Sequence, residues 1–227
     1  MKFRQVVFLL VLVLLLVSCA TGTNINEKNN DGSPIWTTEI PKSNKLLYGV
    51  GKAKLSTDKN SQDASYSLAV SDLAKQISVR IDEATTYYSN DTNKLATAAY
   101  ETIKVTSVSL SVNGVVTEAR WTAEDGTVWT LVSIKVKNLP KIYEDASNSY
   151  KKEQEEAIET IKAKLDALLG QIGDQSDNDS LTLKAAAEKK ANELQKEITE
   201  TLSSVDCEGV RDEIEKLLIA DGYSLED

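Results

Sequence analysis

The sequence predicts an α+β fold: a long helix packed on a small antiparallel sheet in the order β-α-β-β, followed by a C-terminal helical hairpin. Three observations carry this. Leu73, Ile77, Ile81, Ala84 and Tyr88 recur at three- and four-residue spacing, the period of one buried helix face. Asp125-Gly126 separates two β-rich runs, a strong hairpin signal. After about Ala146 the composition shifts to Glu, Lys, Ala and Leu, all strong helix formers.

The chain opens with Lys2 and Arg4, then an unbroken apolar run from Val6 to Val17. That run suits a signal-peptide core and is too short to span a bilayer as a helix. It ends in Leu16-Val17-Ser18-Cys19, which resembles the bacterial lipobox, so Cys19 is the expected lipidation site, with residues 1–18 removed. An ordinary secretory signal or an uncleaved anchor is the plainer alternative. Several acyl chains on one residue anchor firmly, because each buried methylene contributes about 0.8 kcal/mol. Ala20, where an aspartate would favour inner-membrane retention, points to the outer membrane, with the domain facing the periplasm. Residues 19–33 are polar and read as a flexible tether, with order beginning near Pro34-Ile35-Trp36.

Residues 46–55 read as a strand with Leu47, Gly49, Gly51, Ala53 and Leu55 on one face. A helix follows over about 61–88, with Asp58 and Ser61 as candidate N-caps, and a second over about 94–106. Strands at Val115–Thr122 and Val128–Lys137 flank the Asp-Gly turn, and Asn113-Gly114 marks another turn, which leaves room for a short strand before it. Pro140 ends the sheet, since proline cannot donate in a ladder. In the C-terminal region, Ile158, Ile161, Leu165, Leu168 and Ile172 form one apolar stripe. Ala187, Ala191, Leu194, Ile198 and Leu202 form another, across the polar loop 173–180. A third helix spans about 210–220 and stops at Gly222. The expected divisions are a signal peptide at 1–18, a lipidated tether at 19–33, an α/β domain at 34–146 and a helical region at 147–227.

"LLYGVGKAKL", residues 46–55, invites a phosphate-binding reading that its details refuse. A P-loop needs a glycine where Leu46 stands and a hydroxyl where Ala53 stands. A dinucleotide fingerprint needs a small residue where Lys54 stands. The glycines read instead as a shallow trough that lets a helix lie close to the sheet. Asp174 begins a superficial calcium-loop likeness, but Asp179 replaces the turn glycine and Ala185 the bidentate glutamate. Glu153, Glu155, Glu156 and Glu159 read as a solvated helix face.

The chain carries 26 basic and 35 acidic residues, a net charge of −9, and loss of Lys2 and Arg4 would deepen it by two. That balance disfavours nucleic acid and anionic lipid surfaces as partners. There is no histidine, which removes histidine-dependent triads and histidine-ligated zinc. With Cys19 lipidated, Cys207 stands alone, either as a buried apolar filler or as one half of an intermolecular bridge. No catalytic residue, cofactor or metal site is expected.

Alternation gives the sheet two apolar faces. One holds Val115, Ala119, Trp121, Val132, Ile134 and Val136; the other holds Tyr48, Val50, Val116, Trp129 and Leu131. The second set is the expected interface, because a sheet apolar on both sides must be covered on both. Either the C-terminal hairpin folds over it or a second protomer docks there.

Pro34 and Trp36, Tyr48-Gly49-Val50-Gly51, the Ala-rich helix from Ala64 to Ala74, Asn113-Gly114 and Asp125-Gly126 occur in an order that resembles the LPP-twenty lipoprotein family of Helicobacter-type outer-membrane lipoproteins, over about residues 34–145. The resemblance implies a dodecin-like unit, similar also to a secreted Helicobacter virulence protein. It implies no active site, and some members form multimeric assemblies. The functional expectation is a non-enzymatic, lipid-anchored envelope protein with a structural or assembly role, self-associating or binding another envelope protein. The alternative is a periplasmic binding module for a small apolar ligand.

Overall fold

The computed structural model describes residues 24–88, 94–172 and 178–226. Cys19, the lipobox, the signal segment and most of the 173–180 loop lie outside them. The chain divides into two compact units, Met1–Ser43 and Asn44–Asp227.

In the first unit, residues 24–33 are not the loose tether expected of them. Asn29 N–H donates to Ser33 O at 2.7 Å and Ile35 N–H to Glu27 O at 2.8 Å, and Lys28 bridges Pro34. The Asp31 carboxylate accepts from the Ser33 hydroxyl and backbone N–H, which holds its pKa below the usual carboxylate range. Short polar side chains here supply the backbone with local partners, so a segment too polar to build a core still closes into a turn. A 3-10 turn over Ile35–Thr37 follows, with Trp36 buried.

The second unit holds three strands, β1 (Leu46–Ala53), β2 (Val116–Thr122) and β3 (Val128–Lys135), in the antiparallel order β1-β3-β2. Its helices are α1 (Asp58–Thr86), α2 (Lys94–Val112), α3 (Leu139–Ile172), α4 (Asn178–Ser204) and α5 (Cys207–Ala220). The predicted α+β class therefore holds, with a second helix inserted between β1 and the hairpin.

Several boundaries differ from expectation for physical reasons. Thr57, not Asp58 or Ser61, caps α1, accepting from Asn60 N–H. The helix α2 runs six residues past Thr106; in that stretch Ser107 and Ser111 satisfy their buried hydroxyls within the helix, on the carbonyls of Ile103 and Ser107. Pro140 falls in the first turn of α3, where the missing N–H costs nothing, so this helix begins at Leu139. The boundary expected near residue 146 is no structural break: it falls inside α3.

The core lies between the sheet and the helices. Leu73, Ile77 and Ile81 of α1 meet Val132 and Ile134 of β3, Ile103 of α2, Tyr143 of α3 and Ile214 of α5 in one buried cluster. The final helix thus belongs to the same core as the strands. It ends in a Schellman arrangement: Gly222 at φ +88° donates to Ile219 O, and Tyr223 N–H to Leu218 O. The chain then returns to β1, where Ser224 N–H donates to Asn44 O at 2.6 Å. Arg80 of α1 holds the same corner, pairing with Asp221 at 3.2 Å and lying 5.7 Å from the Tyr223 ring centre.

Candidate functional site

The trough on β1 is filled. Leu47, Gly49, Gly51 and Ala53 face α1, opposite Ile134, Val132, Thr130 and Val128 of β3. A Cβ on Gly49 would collide with the Ala69 carbonyl and lie 2.9 Å from Leu73 Cβ. One on Gly51 would collide with the Ser65 carbonyl and the Ala69 backbone nitrogen. Helix backbone thus occupies the space a phosphate would need. Beside Gly51, Ser65 and Thr130, both fully buried, share a hydroxyl–hydroxyl hydrogen bond of 2.7 Å that fastens α1 to the sheet.

The opposite face gathers the expected interface residues. Register places Tyr48 and Val116 across from Ser133, Val50 and Ala119 across from Leu131, and Lys52 and Trp121 across from Trp129. Tyr48, Val50, Val116, Trp129 and Leu131 therefore share one side. Their exposures differ: Leu131 and Tyr48 are buried within the chain, Val50 and Trp129 are half-buried, and Val116 is 58% exposed.

Ala119 and Trp121 were expected on the other face. A register shift between Thr117 and Ala119 admits one extra residue and reverses the alternation, bringing Trp121 opposite Trp129. The Lys52 ammonium lies 5.1 Å from the Trp129 ring centre, within cation–π range. Only the place of Trp121 in this group is hidden in the sequence, because nothing in "VTEARWT" marks the bulge. Among the described residues, the C-terminal helices pack on α1, α2 and α3 rather than across this face.

The outer parts of α3 and α4 form an antiparallel arm. Among the described residues from Asn148 to Ser204, none is buried. A groove of about 250 Å³ lies between Ile158, Ile161 and Leu165 on one helix and Ala191 and Ile198 on the other. A second, of about 280 Å³, includes Ala98 of α2, Tyr150 and Leu194. Glu153, Glu155, Glu156 and Glu159 are all exposed, with a 3.6 Å pair between Lys152 and Glu156.

Cys207 is buried at the start of α5, in the cluster that also holds Tyr100 and Tyr143. Burial, with a smaller contribution from Cys207, drives the Tyr143 hydroxyl far above its ordinary pKa, so it stays protonated at any physiological pH. Asp206 caps α5 through Gly209 N–H at 2.8 Å, while its own N–H donates to the Tyr100 hydroxyl at 3.0 Å. No helix of the described residues is long and apolar enough to cross a membrane.

No family model matches the chain, and no curated protein matches it. Among solved structures, the secreted protein HP1454 from the human pathogen Helicobacter pylori is similar over 70% of this chain and 53% of that one, at 14% identity and a TM-score of 0.24. The chain thus spans about half the length of that protein.

Proposed function

We propose that the chain is a non-enzymatic, lipid-anchored protein of the bacterial envelope, outside the cytoplasm, with a structural or assembly role through protein–protein contacts. The observation that carries the assembly role is the arm: two long helices bear apolar stripes, yet none of the described residues from Asn148 to Ser204 is buried. Helices of that kind gain little stability alone and ordinarily complete their burial against another surface. The lipobox-like Leu16-Val17-Ser18-Cys19 supports anchoring through Cys19 at the outer membrane, and the LPP-twenty resemblance supports an envelope location. The helix-filled glycine trough weighs against nucleotide chemistry. The arm's grooves, about 250 and 280 Å³, fall below the roughly 300–1,000 Å³ of small-molecule sites, which favours assembly over ligand binding.

The test is amine cross-linking of intact envelopes carrying the tagged full-length chain, with sizing of the adducts. Discrete adducts with itself or one envelope protein are expected. A chain that stays at monomer mass at every cross-linker concentration overturns the assembly reading.

A further inference from the structure

We propose that the Asp72–Gln76–Arg80 stripe of α1 stands in for a fourth strand along β1, and that without it β1 pairs with β1 of a second copy of this chain. This is independent of the assembly reading, since the stripe closes one edge of the sheet and leaves the arm as it is. β1 pairs with β3 from Leu46 to Ala53 without a register shift. It has neither bulge nor proline, and Lys52 is its one charged residue. A regular, apolar edge of that kind is a ready template for another strand. β2, the opposite edge, carries its own protection in the bulge between Thr117 and Ala119.

Asp72, Gln76 and Arg80 recur at four-residue spacing, so they share one side of α1. Gly49 and Gly51 let α1 lie close enough for that side to reach the outer edge of β1. The Asp72 carboxylate accepts from Val50 N–H at 3.2 Å, and the Gln76 side-chain amide donates to Tyr48 O at 2.9 Å. The same amide donates to Asp72 at 3.3 Å, which ties the two side chains together. Tyr48 and Val50 are therefore the positions whose backbone groups point away from β3. Arg80 continues the stripe, donating to Gln76 O at 3.2 Å and pairing with Asp221. There the chain end takes over, with Ser224 N–H on Asn44 O just before β1.

The bonds themselves select a second copy. In an antiparallel pairing about a two-fold axis at Gly49, Tyr48 lies opposite the partner's Val50, whose N–H donates to Tyr48 O across the axis. Those are the two groups that Asp72 and Gln76 hold within one chain. Leu46 then lies opposite the partner's Lys52, so no like charges meet, and Tyr48 packs on the partner's Val50.

The experiment uses the full-length chain in detergent micelles and reads its mass by sedimentation over a range of concentrations. The triple variant Asp72→Ala, Gln76→Ala, Arg80→Ala leaves Leu73 and Ile77 in the core and should keep a cooperative melt. Its mass should rise with concentration to about two-fold that of the unaltered chain, the step from one unit to a pair. Adding Val50→Pro removes an outward N–H and no bond of the β3 ladder, and should return the mass to that of the unaltered chain. Hydrogen exchange at Val50 should quicken in the triple variant, while exchange at the buried Val132 stays slow. A triple variant that matches the unaltered chain in mass at every concentration overturns the proposal. So does association that survives Val50→Pro, which would assign it to apolar surface other than the β1 edge. Where Val50→Pro disturbs the melt, an excess of a synthetic Leu46–Ala53 peptide replaces it: suppressed pairing supports the proposal and persistent pairing overturns it. If the triple variant itself loses its cooperative melt, Asp72→Ala with Gln76→Ala, which leaves Arg80 on the chain end, is judged by the same readings. Cross-linking of envelopes carrying the unaltered chain tests the assembly reading separately, so either can fail alone.

Discussion

Gly51 rests directly on the backbone of Ala69, with the helix passing where a side chain would otherwise stand. Gly51→Val must push α1 off β1 and should cost about 1–3 kcal/mol or more in chemical denaturation, because overpacking against backbone has no flexible group to absorb it. Adding ATP should leave the melting temperature of the unaltered chain unchanged. A saturable rise with ATP concentration would overturn the packing account of these glycines.

The Ser65–Thr130 pair holds the same contact from inside. Thr130→Val keeps the shape and removes one hydroxyl, leaving the buried Ser65 hydroxyl only its bond to Gln62 O. The expected loss is about 1–2 kcal/mol, while Ser65→Ala combined with Thr130→Val should cost less than the two single losses added together. Urea midpoints of the four proteins decide this; strictly additive losses would show that the pair is not coupled.

Tyr100 and Asp206 are linked across 106 residues of chain. Tyr100→Phe removes the hydroxyl that accepts the Asp206 N–H and should cost about 0.5–1.5 kcal/mol. Hydrogen exchange should quicken most at the start of α5. An unchanged rate there would mean that solvent replaces the hydroxyl without loss.

Cys19→Ala should abolish labelled-palmitate incorporation and leave unprocessed precursor. Normal maturation and continued membrane retention of that variant would refute the lipobox reading.

Removing residues 147–227 and removing only the arm should have opposite results. The first deletes Val210, Ile214 and Leu218 from the core and should abolish cooperative melting. Replacing residues 157–196 with a short Gly-Ser linker removes none of the buried residues among those described and should keep the melt cooperative, while adducts in cross-linked envelopes fall.

What the sequence made legible was what a single period encodes. Leu73, Ile77 and Ile81 announce a buried helix face, and the absent P-loop residues around Gly51 predict a packing role that the close approach of Ala69 bears out. The bulge beside Glu118 was not legible, because no glycine or proline marks it, and one extra residue moved Trp121 to the other face. The segment from Ser107 to Val112 alternates like a strand; burial of Ser107 and Ser111 on one side of α2 shows it as a helix. The place of α5 in the core was likewise hidden. Its stripe of Val210, Ile214 and Leu218 declares a buried face and says nothing of which surface receives it.

The place of α5 bears on the order in which this protein can fold. Ser224 closes against Asn44, and α5 packs on α1 and α3, so the helical layer is incomplete until α5 has docked. Contacts so distant in sequence form slowly. Docking of α5 is therefore the expected late step of folding, with α1 and α3 left partly uncovered until α5, more than a hundred positions beyond α1, arrives.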